Sequence, residues 1–122
     1  MGKHRIKYDK YLKKYFGYDS LKVLQFKIIY SIIKKKKDIC GVLATGYGKS
    51  ICYQLPFLLT KKNVIVISPL ISLMEDQMDT LRKLNIGVCC LNSNNKNKSA
   101  DKYDILKGNN KIIYITPEYL LN

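Results

Sequence analysis

The chain has 122 residues, 47% of them hydrophobic, and a formal net charge of +13 from 22 Lys and Arg against 9 Asp and Glu. That length fits one folded domain with a core of its own, and ten tyrosines without a Gly- or Ser-rich linker argue against disorder. No run of about 18 apolar residues is present, the start Met1-Gly2-Lys3-His4-Arg5-Ile6 lacks the apolar stretch of a secretory signal, and Ile6 stands where a myristoylation motif wants Ser or Thr.

An intracellular, reducing compartment and no membrane are therefore expected. Cys40, Cys52, Cys89 and Cys90 contain an adjacent pair but no Cys-x-x-Cys, so buried reduced thiols are expected, with neither a zinc site nor a disulfide framework. His4 has no partner in the sequence and is assigned no role. The basic excess fits a polyanionic partner. It equally fits A+T-rich coding, since Arg5 and Arg82 are the only arginines among many lysines.

In chain order, Tyr8 to Phe16 reads as a short lysine-rich helix ended by Gly17. Leu24, Ile28, Ile29, Ile32 and Ile33 fall at helical spacing, which predicts an amphipathic helix over 22–36 with its apolar stripe on the core. Lys34 to Lys37 would close that helix favourably, or serve as an import signal. Asp38 turns the chain, Ile39 to Ala44 reads as a strand, and a helix follows from Lys49 to about Leu59, distorted by Pro56. Residues 63–68, Asn-Val-Ile-Val-Ile-Ser, form a buried strand stopped by Pro69. Leu70, Leu73, Met74, Gln77, Met78, Leu81 and Leu84 mark a second amphipathic helix, and Val88 to Leu91 a strand. Asn92 to Ser99 reads as a polar loop, Ala100 to Lys107 as a weak helix, Gly108 to Asn110 as a turn, and Ile112 to Thr116 as a buried strand before Pro117. Such alternation folds as a mostly parallel sheet with helices on both faces, an α/β architecture that binds ligands at the C-terminal strand ends.

Between the strand at 39–44 and the helix after it lies Ala44-Thr45-Gly46-Tyr47-Gly48-Lys49-Ser50. Strand, Gly-rich loop, Lys-Ser and helix are the context of a phosphate-binding loop, whose backbone N–H groups and helix N-terminus cradle phosphate oxygens. There Lys49 reaches the β- and γ-phosphates and the Ser50 hydroxyl ligates Mg²⁺. A strict motif would have glycine at Leu43. The plain alternative is a glycine turn with a surface lysine.

Taken with their neighbours, these residues resemble the first motor domain of superfamily 2 helicases, and specifically the RecQ family. Phe16-Gly17-Tyr18, Leu21-Lys22 and Gln25 look like the family's adenine motif. The loop with Ile51-Cys52-Tyr53-Gln54-Leu55-Pro56 is similar to the Werner syndrome helicase branch, and Leu43 is tolerated in such proteins. Ser68 to Gln77 resembles motif Ia, and Tyr114 to Tyr119 motif Ib. The resemblance implies an incomplete RecA-like P-loop NTPase fold, with 1–15 a basic N-terminal segment and 16–122 a partial ATP-binding domain. It implies ATP and Mg²⁺ as cofactors, Gln25 on adenine, Lys22 near the base or phosphates, and residues 44–50 on the phosphates, with Lys49 catalytic. Ser68, Ser72 and Thr116 would lie along single-stranded or partly duplex DNA. Taken alone, Ser68-Pro69 merely caps a helix, and the Thr116 segment is only a strand end and a helix start.

By the same resemblance, the chain reaches Asn122 before the acidic Asp-Glu-Ala-His box and the second motor domain of a 3′ to 5′ DNA helicase. The expectation is a piece that binds nucleotide and weakly DNA, does not turn over ATP, is poorly soluble alone, and has the rest of a helicase as partner. Two rivals stay open: a truncated, non-catalytic DNA-binding or decoy module, and a small P-loop kinase or switch. The second would need its own acidic metal ligand, whereas Asp76 and Asp79 fall on a helix face.

Overall fold

The computed structural model describes residues 2–44, 46–91 and 110–121, which fall into two compact units, 1–61 and 62–122. In the first unit, α1 spans Gly2–Phe16, longer than the helix read from Tyr8. An ion pair one turn apart, Arg5 Nε to Asp9 Oδ2 at 3.4 Å, ties its early turns. Tyr8 and Leu12, four residues apart, are buried. Gly17, at φ +79°, ends the helix and donates its N–H to Lys13 O at 3.1 Å.

The helix predicted over 22–36 is α2, Val23–Tyr30, continued by a wider π turn, Ser31–Lys35, which closes at left-handed Lys36. The wider turn rotates the apolar stripe off the core. Gln25, Phe26 and Ile29 are buried, whereas Leu24 and Ile32 are 42% and 41% exposed. Lys34 and Lys35 occupy the last turn, where they favour the helix dipole.

Residues 39–44 are not a strand, and Val42 is exposed. An extended segment needs a neighbour to take its backbone N–H and C=O groups, and the described residues of this unit include no strand. Cys40 lies in this segment and is exposed, against the expectation of four buried thiols; Cys89 is buried, and Cys52 and Cys90 are partly so. Helix α3, Ile51–Thr60, runs through Pro56 without a break and buries Ile51, Gln54, Leu55 and Leu58.

The second unit holds the sheet. Strands β1 (Val64–Ile67), β2 (Val88–Leu91) and β3 (Ile112–Ile115) are parallel in the order β1-β3-β2. Val64 and Val88 both pair with Ile112, and Ile67 and Leu91 both pair with Ile115. The central β3 is buried along its whole length, as its Ile-Ile-Tyr-Ile run dictates. Helix α4, Ile71–Lys83, buries Met74, Met78 and Leu81, and Tyr114 Oη donates to Gln77 Oε1 at 2.9 Å. Its end is a Schellman turn: left-handed Asn85 donates to Arg82 O, and Ile86 donates to Leu81 O at 3.0 Å. A short helix α5, Pro117–Leu121, follows β3. The loop, weak helix and turn read over 92–109 lie outside the described residues. The observed parallel sheet with its helices is the expected α/β class.

Candidate nucleotide site

Lys22 is the extended residue that starts α2, and its N–H is capped by Gln25 Oε1 at 2.9 Å. That bond turns the Gln25 carboxamide back toward the helix start. Gln25 Nε2 then donates to the carbonyls of Tyr47 and Gly48 at 3.2 and 3.0 Å. The Lys22 ammonium donates to the same Tyr47 carbonyl at 3.0 Å and lies 4.7 Å from the Tyr47 ring centre. The Tyr47 hydroxyl accepts the Leu24 N–H at 3.2 Å. Buried Gln25, exposed Lys22 and half-buried Tyr47 therefore join the start of α2 to the glycine loop.

The loop's shape follows from its glycines. Gly46 and Gly48 hold φ of +83° and +91°, and Tyr47 N–H donates to Ala44 O at 3.1 Å. A Cβ on Gly48 would sit 2.5 Å from Gln25 Nε2. In a trans peptide the C=O and the next N–H point opposite ways, and no cis bond occurs among the described residues. With the carbonyls of 47 and 48 aimed at Gln25, the N–H groups of Gly48 and Lys49 are aimed away from it. Two adjacent donors directed outward beside the start of α3 are the kind of backbone arrangement that suits an anion.

Lys49 is exposed. It borders a cavity of about 650 Å³ lined also by Ile28, Ile32, Val42, Leu43 and Cys52. Burial pushes the Cys52 thiol above its ordinary range, which disfavours the nucleophilic thiolate. Ser50 stands at the N-cap of α3, yet its hydroxyl makes no capping bond. An Oγ not committed to its own helix suits a Mg²⁺ ligand. Among the described residues no group of three or more His, Cys, Asp or Glu is placed to hold a metal ion. Ala44 is exposed, and Thr45 lies outside the described residues.

In the second unit, strand register brings two of the predicted nucleic-acid residues together. Ser68 follows β1 and donates its N–H to Ile115 O at 3.1 Å; Thr116 follows β3. Ser68 Oγ accepts the Leu70 N–H at 3.3 Å, and Ser72 is exposed in the first turn of α4. Thr116 is buried, and its Oγ1 accepts the Tyr119 N–H at 3.3 Å. Its hydroxyl is therefore a cap for α5, as the plain reading of that segment has it. Sequence reasoning placed Tyr47 in the loop but missed what its side chain holds. Its ring beside the Lys22 ammonium and its hydroxyl on the Leu24 N–H join residues far apart in the chain, for which there is no local signal.

The sequence pattern of the DEAD/DEAH box helicases matches residues 22–122. The chain is 49% identical over 88% of its length to the bifunctional 3′-5′ exonuclease/ATP-dependent helicase WRN of Mus musculus, covering 8% of that protein. It is 41% identical over 89% of its length to the ATP-dependent DNA helicase RecQ of Bacillus subtilis, covering 19%. Over 95% of its length it is 46% identical to R290 of Acanthamoeba polyphaga mimivirus, provisionally named an ATP-dependent RNA helicase, covering 21%. The chain thus spans about a fifth or less of these relatives, and the resemblance to RecQ-type helicases covers most of it. With the match extending from the adenine segment through β3, the parallel sheet is part of a RecA-like fold, and the chain belongs to the DEAD/DEAH box helicase family.

Proposed function

We propose that the chain is the ATP-binding part of a RecQ-like, ATP-dependent 3′ to 5′ DNA helicase, with 1–15 a basic lead-in and 16–122 a partial motor domain. The observation that carries this reading is the loop geometry: left-handed Gly46 and Gly48, and carbonyls 47 and 48 drawn to Gln25 so that the next N–H groups face outward. The backbone of 44–50 receives the β- and γ-phosphates, Lys49 neutralises their charge, and the Ser50 hydroxyl takes a place in the shell of Mg²⁺. The metal, when bound, supplies Lewis-acid polarisation of the γ-phosphate.

Gln25 reads adenine by offering a donor beside an acceptor to the Hoogsteen edge. Both hydrogens of its Nε2 are engaged with loop carbonyls, whereas Oε1 keeps a second lone pair. Binding the base therefore shifts at least one Nε2 hydrogen from loop to ligand. Ser68, Ser72 and the α4 start lie along the nucleic-acid backbone, and Thr116 supports that surface by holding α5 in place. The name of the mimivirus relative favours an RNA strand as a second reading of the same surface.

The test is titration of fluorescent ATP in the presence of Mg²⁺, followed by anisotropy with labelled single-stranded DNA and RNA. Lys49→Ala should weaken ATP binding about tenfold or more. Equal binding by the variant would overturn the assignment, and a preference for RNA over DNA would select the second reading.

A further inference from the structure

Helix α1 lies upstream of the family match, which begins at residue 22, yet it is bonded to the residue that launches the nucleotide site. Asp9 Oδ1 accepts the Leu21 N–H at 2.8 Å, and the Arg5 guanidinium donates through Nη2 to the Leu21 carbonyl. One pair of side chains thereby takes both backbone groups of a single residue. The two are also joined to each other, Arg5 Nε to Asp9 Oδ2 at 3.4 Å, and Arg5 lies 5.0 Å from the ring centre of Phe26 in α2. Both side chains are half-buried, at 34% and 23% exposure, and Leu21 is buried.

We infer that Arg5 and Asp9 are positioning residues of the nucleotide site, acting through Leu21 on Lys22 and Gln25. This rests on the nucleotide reading of the loop. Between Gly17, with its left-handed backbone, and α2, the residues at 17–20 are exposed and form no regular element. An ion pair that crosses this connection, Lys13 with Asp19, has side chains 72% and 90% exposed and constrains it little. The orientation of the first turn of α2 therefore depends on how Leu21 is held. Leu21 is followed directly by Lys22, whose N–H is bonded to Gln25 and whose ammonium meets the loop. The arginine is suited to this task because its planar fork serves a carboxylate and a carbonyl at once, which a lysine ammonium does not reproduce. The clamp acts on Lys22 and Gln25 directly and reaches the phosphate loop only through their bonds to the carbonyls of Tyr47 and Gly48, so base recognition should suffer more than phosphate binding.

The experiment compares the affinity of the full chain for ATP with its affinity for inorganic tripolyphosphate, which has no base. Asp9→Ala should weaken ATP binding about tenfold while tripolyphosphate binding stays within about twofold. Asp9→Asn, which keeps an oxygen for the Leu21 N–H, should recover most of the loss. Arg5→Lys should behave like Asp9→Ala. A parallel fall for both ligands, or unchanged ATP binding, would overturn the inference. If the unaltered chain shows no preference for ATP over tripolyphosphate, the adenine reading fails separately. The clamp then rests on NMR exchange of the Leu21 amide: markedly faster exchange in Asp9→Ala supports it, and equal rates overturn it.

Discussion

Gly48 combines two constraints that no other residue meets. Its φ of +91° is costly for any side chain, and the space a Cβ would fill is held by the Gln25 amide. Gly48→Ala should therefore destabilise the fold by about 1–2 kcal/mol in urea titration and weaken ATP binding together. Tyr8 presents the opposite case: its hydroxyl is buried with no hydrogen-bond partner among the described residues, while its ring centre lies 5.7 Å from that of Phe26. Tyr8→Phe should leave the packing intact and raise stability by about 1 kcal/mol. Burial, and then the neighbouring Tyr30, push the Tyr8 ionisation above its ordinary value of 10.0. The folded chain keeps a proton that the unfolded chain gives up, so this contribution to stability is full below pH 10 and falls as pH rises beyond it. Tyr8→Phe should flatten that alkaline loss, as followed by circular dichroism.

Elements whose hydrophobic period is self-contained were legible in the sequence. The short apolar runs at 64–67, 88–91 and 112–115 gave strands, and the three-and-four spacing from Leu70 gave α4. Ile39 to Ala44 was not legible, because its apolar pattern is a capacity to pair and the first unit provides no described partner strand. The early turns of α1 were hidden in a lysine-rich stretch, where the Arg5–Asp9 pair and the burial of Tyr8 outweigh weak periodicity. The candidate loop was legible as a loop at Gly46 and Gly48, before Lys49 and Ser50, from local spacing. Contacts such as Asp9 to Leu21 or Lys22 to Tyr47, 12 and 25 residues apart, were not. The α4 terminus offers a test at this scale. Asn85, at φ 59°, with buried Leu81 and Ile86 beneath it, makes the Schellman turn. Asn85→Gly should gain a few tenths of a kcal/mol and Asn85→Val should cost about 1–2 kcal/mol, measured by thermal unfolding.

At the scale of the whole molecule, two surface properties act together. The net charge of +13 keeps copies apart and draws polyanions. Against it, β1 is an outer strand of the described sheet with Ile65 and Ile67 at 64% and 57% exposure. An apolar outer strand pairs readily with other chains, so the protein should self-associate increasingly as salt screens its charge. Ile65→Lys should raise the monomer fraction in sedimentation velocity at high salt; an unchanged distribution would remove this strand from the explanation.

The saturated carboxamide of Gln25 has one more consequence. Since the chain satisfies those hydrogens with its own carbonyls, a base bound as proposed gains only the difference between two sets of bonds. Such an exchange adds less to tightness than to choice, because a base that returns no donor leaves the Gln25 Oε1 unmatched. On the adenine reading, guanine, whose N7 and O6 both accept, would take an Nε2 hydrogen and offer Oε1 nothing.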